Sequence, residues 1–146
     1  MADRNLELGV IGNCAIAALV DADGAIVWSC FPRLDQDPVF CALLDNGAAA
    51  DGGEGAFAIE LKDRCNSAQR YLDNSAILET VLSDQTGNAV EITDFCPRFQ
   101  SRGRTFRPMN LVRLVEPVVG RPRVRLRIAP TMYYGVEARP IGTGGH

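Results

Sequence analysis

The stretch Trp28-Ser29-Cys30-Phe31-Pro32-Arg33-Leu34-Asp35-Gln36-Asp37-Pro38-Val39-Phe40 gathers an indole, a guanidinium and two carboxylates around prolines. Aromatic faces stack on the apolar C–H side of a sugar ring, and charged groups make directional hydrogen bonds to its hydroxyls. Trp28, Arg33, Asp35 and Phe40 are therefore candidate contacts for a saccharide or for another protein surface. The competing reading leaves Trp28 and Phe40 in the core and uses Asp37 only as a helix cap. Glycoside hydrolysis needs two carboxyl groups roughly 5 to 10 Å apart, one of them protonated. Capping would keep Asp37 ionised, the wrong state for a general acid, so no catalytic residue is assigned within the chain.

Other chemistries fail on residue supply. The single histidine, His146, sits beyond a Gly142-Thr143-Gly144-Gly145 tail and makes a poor base for a serine or cysteine nucleophile. Lys62 is the only lysine and no phosphate-loop motif is present; Gly9-Val10-Ile11-Gly12-Asn13 has half of a dinucleotide loop but lacks its third glycine. Cys14, Cys30, Cys41, Cys65 and Cys96 form no Cys-x-x-Cys pair, and with one histidine they make no zinc set. No metal and no cofactor is expected. Cys14, Cys30 and Cys41 read as small buried hydrophobes of a cytoplasmic protein.

The elements that must hold these residues fit one domain of 146 residues, 47% apolar and 23% charged, which can bury a core. No apolar run reaches the roughly 18 to 20 residues of a membrane helix. Met1-Ala2-Asp3-Arg4-Asn5 lacks the build of a secretory leader, so the expected location is cytoplasmic and off the membrane. Cys14–Val20 and Ala25–Phe31 flank the turn Asp21-Ala22-Asp23-Gly24 and predict a hairpin whose second strand is apolar on both faces. Ile26, Trp28 and Cys30 are expected on one face of it. Asp37 to Leu44 predicts a short helix with Asp37 as N-cap and Pro38 in the first turn. Ala48 to Gly55 predicts a small-residue loop. Further strands are expected at Ala56–Leu61, Ala76–Ser83, Ala89–Phe95, Asn110–Glu116 and Arg121–Ala129, with turns at Asp84–Asn88 and Val119–Pro122. Strands without intervening helices argue for a mainly β antiparallel sandwich with one short helix.

Charge is divided along the chain. Residues 1–97 carry 5 basic and 16 acidic side chains, and residues 98–146 carry 10 basic and 2 acidic. Nine of the basic groups are arginines between Arg98 and Arg127. Arg121, Arg123, Arg125 and Arg127 alternate with Val124, Leu126 and Ile128, the pattern of a strand with a solvent face and a core face. That run has no aromatic residue for bases to stack on, so nucleic acid is not expected as a partner. An acidic half of the same fold or a carboxylate-rich partner explains it better.

Leu8-Gly9-Val10-Ile11-Gly12-Asn13-Cys14, Gly24-Ala25-Ile26-Val27-Trp28, Phe31-Pro32-Arg33-Leu34-Asp35 and Pro38-Val39-Phe40 resemble, in this order, the opening of bacterial glycoside hydrolase family 15 proteins, the glucoamylase and trehalase-like group. Ile77-Leu78-Glu79-Thr80, Thr93-Asp94-Phe95-Cys96-Pro97 and Ala129-Pro130-Thr131-Met132-Tyr133-Tyr134-Gly135 continue the resemblance, which runs from about Leu6 to Gly135. Leu34 departs from the phenylalanine usual there, and Gln36-Asp37 from a more typical Ser-Pro. The resemblance implies an N-terminal β-sandwich domain, residues 1–146, part of a supersandwich that precedes an (α/α)6 barrel. That barrel would carry both catalytic glutamates of an inverting enzyme acting on α-glucosidic bonds, and nothing similar to it is present in this chain. The implied partners are the barrel and, through it, an α-glucoside. Trp28, Arg33, Asp35 and Phe40 are then expected at the sugar pocket or the barrel contact, and the chain alone is expected to be inactive. A sandwich cut short leaves open sheet edges, so a homo-oligomer is also expected. The alternative is a freestanding β-sandwich interaction module that binds an acidic partner through an Arg98–Arg127 face.

Overall fold

The computed structural model describes residues 6–44 and 55–138. Its strands are β1 (Gly9–Gly12), β2 (Ala17–Val20), β3 (Ile26–Cys30), β4 (Pro38–Phe40), β5 (Ala56–Leu61), β6 (Arg64–Tyr71) and β7 (Leu78–Asp84). They continue as β8 (Ala89–Phe95), β9 (Phe99–Ser101), β10 (Arg104–Phe106), β11 (Val112–Val119), β12 (Val124–Ala129), β13 (Thr131–Met132) and β14 (Glu137–Ala138). All pairings among them are antiparallel. One sheet runs β1-β2-β3-β5-β12, with β4 also on β3, and the other runs β11-β8-β7-β6; β9–β10 and β13–β14 are separate hairpins. The mainly β, antiparallel expectation therefore holds. Among the described residues no helix is long and apolar enough to cross a membrane.

Two layers form because alternate residues of both sheets meet in one apolar space. Ile11, Val20, Ile26 and Phe40 of the first sheet pack with Leu78 of the second, and Ile59 and Leu61 pack with Leu82, Val90 and Ile92. The opposite face of the first sheet is covered too: Val27, Ala56 and Ala58 pack against Ala42 and Leu43. Burial on both sides explains why β3 reads as a continuous apolar run.

Three expectations change in the structure. The helix predicted from Asp37 is a three-residue strand followed by a 3-10 turn, Ala42–Leu44. Ser29 pairs with Phe40 and Cys30 with Pro38, so Pro38 sits where an edge strand tolerates its missing N–H, and Asp37 caps nothing. The register slips between Leu19/Val20 and their partners: Val20 faces Ile26 while Leu19 faces Trp28. This bulge at Val27 puts Ile26 inward and Trp28 on the outer face, where simple alternation placed them together. Strands β6, β9, β10, β13 and β14 were not expected at all; β6 is polar and mostly exposed and lacks the alternation that marks a half-buried strand. The predicted loop 48–55 lies outside the described residues except for Gly55, as does the glycine-rich tail.

Polar groups fix the joints. Asn13, fully buried, donates through Nδ2 to Pro97 O at 2.9 Å and Pro108 O at 2.8 Å, and accepts at Oδ1 from the Ala15 and Ile16 amides. One amide thus spends its whole capacity holding both roots of the β9–β10 hairpin on the β1–β2 corner. Gly24 has φ +77, and a Cβ there would lie 3.2 Å from Thr80 Cγ2 and 3.3 Å from Ile92 Cδ1. It lets the β2–β3 turn approach the other sheet.

Candidate functional site

The segment singled out by its chemistry leaves β3 through a cis Phe31–Pro32 peptide and returns at β4. Arg33 and Asp35 project from this loop and grip each other in a fork, Nε to Oδ1 at 2.9 Å and Nη2 to Oδ2 at 2.6 Å. Their side chains are 70% and 61% exposed. Such a pair contributes little to stability, because water screens it. It presents a fixed guanidinium and carboxylate to an incoming ligand or surface. Leu34 between them is exposed as well.

Trp28 and Phe40 do not join that pair. Trp28 lies half-buried opposite Leu19 on the outer face of the first sheet, while Phe40 is buried in the inter-sheet core, its ring centroid 6.0 Å from that of Phe57. The structure brings Arg33 and Asp35 together and puts the two aromatics on opposite faces. An open groove of about 600 Å³ lies at the end of the sandwich beside the hairpin root, lined by Ser75, Ile77, Cys96, Arg98 and Phe99 among others, and by none of the four candidates. Among the described residues no cluster of three or more His, Cys, Asp or Glu side chains could hold a metal ion.

The expected Arg98–Arg127 face does not exist as one surface. Arg113 is internal: its side chain is 3% exposed and its partner Asp94 is 0% exposed. Arg113 Nε and Nη2 reach the two Asp94 oxygens at 2.7 and 2.9 Å, Nη1 reaches Phe57 O at 2.7 Å, and Nη2 also donates to Gly24 O. Its guanidinium carbon stands 4.7 Å from the centroid of the Phe57 ring. Burial pushes the Asp94 carboxyl up, and the Arg113 fork opposes that shift. Arg127 pairs with Glu60 at 3.1 Å. Arg98, Arg102, Arg104 and Arg107 belong to the β9–β10 hairpin and its flanks, past the Phe95 end of β8; the Arg121 amide binds Asn88 Oδ1 at the Ala89 end. The length of β8, roughly 20 Å, separates the two groups. Sequence reasoning missed the Arg113–Asp94 lock; its signal is a charge inside each of two apolar stretches, Leu-Val-Arg-Leu-Val and Thr-Asp-Phe.

Residues 3–141 match the family model described as trehalase-like, N-terminal. The chain belongs to this family. Among curated relatives of this trehalase-like domain, Trehalase 1 of Sulfolobus acidocaldarius is 42% identical over 91 residues, 62% of this chain and 15% of the relative. The trehalase of Mycolicibacterium smegmatis is 35% identical over 81 residues, 56% of this chain and 11% of the relative. That of Thermoplasma volcanium is 29% identical over 135 residues, 91% of this chain and 20% of the relative. The trehalase-like chain thus spans a fifth or less of the length of these relatives. No solved structure matches it. The five cysteines of the domain are free, Cys30, Cys41 and Cys96 buried and Cys14 and Cys65 exposed, so Cys14 is not the core residue that its sequence context predicted. Burial, with the Asp94 charge beside it, pushes the Cys96 thiol up to about 11.

Proposed function

We propose that this chain is a non-catalytic module of a trehalase-like glycoside hydrolase, in which a catalytic part outside the chain cleaves an α-glucosidic bond. The match to the trehalase-like N-terminal family over residues 3–141 carries this reading, together with relatives that are trehalases five or more times as long as the aligned share. The module packs against the catalytic barrel of a family 15-like enzyme. The exposed Arg33–Asp35 fork reaches the rim of the sugar pocket or the barrel loops around it, with Trp28 on the outer face as a second contact and Phe40 as support from the core. The free thiols accord with a reducing cytoplasm.

Two measurements test the proposal. The purified 146-residue chain should release no glucose from trehalose or maltooligosaccharides; turnover by the chain alone overturns the non-catalytic reading. In an enzyme carrying this module together with its catalytic part, Arg33→Ala and Asp35→Ala should each raise KM or lower kcat by about tenfold, the loss of one charged hydrogen bond. The fold should survive both changes, as expected for exposed side chains. Unchanged kinetics in both variants would remove the fork from the pocket.

A further inference from the structure

Three parts of the chain leave the sandwich at one end. Phe57 of β5 pairs with Ile26 of β3 and Ile128 of β12, and its carbonyl accepts from Arg113 beside Asp94 of β8, which aligns the two sheets at that level. On one side of it Ile59 and Leu61 meet Val90 and Ile92. Cys30, Ala129 and Phe95, the last residues of β3, β12 and β8, therefore all lie on the other side. The Arg33–Asp35 loop follows Cys30, the β9–β10 hairpin follows Phe95, and β13 and β14, where the described chain leaves the sandwich, follow Ala129. The hairpin stands clear of the body: every residue from Arg98 to Arg107 is exposed. It is nevertheless preformed, with Phe99 stacked on Phe106 and both feet bound by the buried Asn13. Arg98, Arg102, Arg104 and Arg107 have no ion pair among the described residues, and no acidic residue lies between Asp94 and Glu116. Arg121, Arg123 and Arg125 lack one too, but they lie toward the opposite end, where Arg125 faces Glu60 and Lys62 binds Arg123 O.

We propose that the β9–β10 hairpin is a docking arm that grips a carboxylate-bearing surface of the catalytic part of this same protein. The inference rests on the reading of the chain as a module of a longer glycosidase. Two observations choose this partner. The described chain leaves the sandwich at the hairpin's end, so a catalytic part that follows in sequence is tethered near it, at an effective concentration on the order of millimolar that a separate molecule does not match. The Arg33–Asp35 fork leaves by the same end, so one docked surface meets fork and hairpin together. Arginine forks bind Asp and Glu side chains in fixed geometry. Charge complementarity of this kind sets orientation more than affinity. The arm thus fixes how the module sits on its partner, and with it where the fork points.

The test follows amide exchange residue by residue in the 146-residue chain and in the longer protein that carries the catalytic part, with glucose release from trehalose and maltooligosaccharides assayed on the same preparations. Residues 99–107 should exchange fast in the chain alone and about tenfold or more slower in the longer protein. About 1 M salt, which shortens screening to about 3 Å, should remove most of that protection. Arg104→Glu/Arg107→Glu changes only exposed side chains; it should abolish the protection in the longer protein and leave the core strands of the chain alone unchanged. Equal exchange of residues 99–107 in the two proteins, or protection that survives the charge reversal, overturns the docking arm. So does protection of the hairpin in the chain alone, whether by a dimer or by added oligothymidylate. A longer protein that releases glucose while its hairpin exchanges freely sinks the arm alone. One that releases none while its hairpin is protected sinks the glycosidase reading alone.

Discussion

Arg113 shows how much of this molecule rests on one side chain. Its guanidinium is shared among β8, β5 and the β2–β3 turn, through Asp94, Phe57 O and Gly24 O. Removing one partner of a buried ion pair typically costs about 3 to 5 kcal/mol, whereas replacing both by apolar groups is often nearly neutral. Arg113→Met should therefore lower the urea unfolding free energy by about 3 to 5 kcal/mol. Arg113→Met/Asp94→Leu should lose clearly less than the single variant, although Phe57 O and Gly24 O stay unpaired in both. A single variant within about 1 kcal/mol of the parent would contradict the assignment. The thiols give a second residue-scale expectation. Cys14 and Cys65 are exposed, while Cys30, Cys41 and Cys96 are buried, and burial pushes the Cys96 thiol up to about 11. Thiolate, not thiol, reacts with alkylating agents, so mass spectrometry after brief alkylation of the native chain should find two fast sites and three slow ones. Rapid labelling of Cys96 would refute its burial.

At the scale of elements, the β7–β8 turn is built by one carboxylate. Asp84 accepts from Asn88 Nδ2 at 2.8 Å, from Thr86 Oγ1 at 2.8 Å, and from the amides of Asn88 and Thr86 at 2.9 and 2.8 Å. These bonds, that of the Asn88 side chain foremost, hold its carboxyl down at about 2. A carboxyl depressed on folding stabilises the fold above its ordinary value of 3.8, and that contribution fades as pH falls through the folded value. The protection factors of the Thr86 and Asn88 amides, each taken against the intrinsic exchange rate at the same pH, should fall as the pH drops from about 4 toward 2, and Asp84→Asn should abolish that pH step. The turn also sets the next connection: Asn88 Oδ1 receives the Arg121 amide at 3.0 Å, and a Cβ on Gly120, at φ +68, would lie 2.0 Å from that oxygen.

Elements were legible in the sequence where burial is one-sided or complete. β5 and β8 fall on the predicted ranges because apolar residues and flanking turn residues mark them together. The Asp37–Leu44 segment misled because its N-terminal signals, Asp then Pro, serve an edge strand equally well, and pairing to β3 is invisible locally. The Val27 bulge was hidden for a similar reason: a slip in register depends on the partner strand, and it decides which side of the sheet Trp28 occupies. Of the four candidate residues, the sequence named Arg33 and Asp35 without showing that they pair with each other, and it left Phe40 between a contact and a core residue; the structure buries it against Phe57.

Over the whole molecule, the surplus of positive charge after residue 97 is resolved into three roles that a charge count cannot separate. Of the nine arginines from Arg98 to Arg127, one locks the interior, four arm or flank a hairpin at one end, and four lie on or just before β12 toward the other, one of them, Arg127, paired with Glu60. The hairpin has its own logic. Phe99 and Phe106 stack at 5.5 Å, and Arg102 and Gly103 turn with φ of 51° and 73°, as a two-residue link with right-handed strand twist requires. Asn13 donates to the carbonyls at both feet of this projection, and Arg98 Nη1 reaches Cys14 Sγ at 3.6 Å, so the hairpin is tied to the first corner of the opposite layer. The same side chain accepts from the Ala15 and Ile16 amides, so replacing it would unfasten the corner and both feet of the hairpin together.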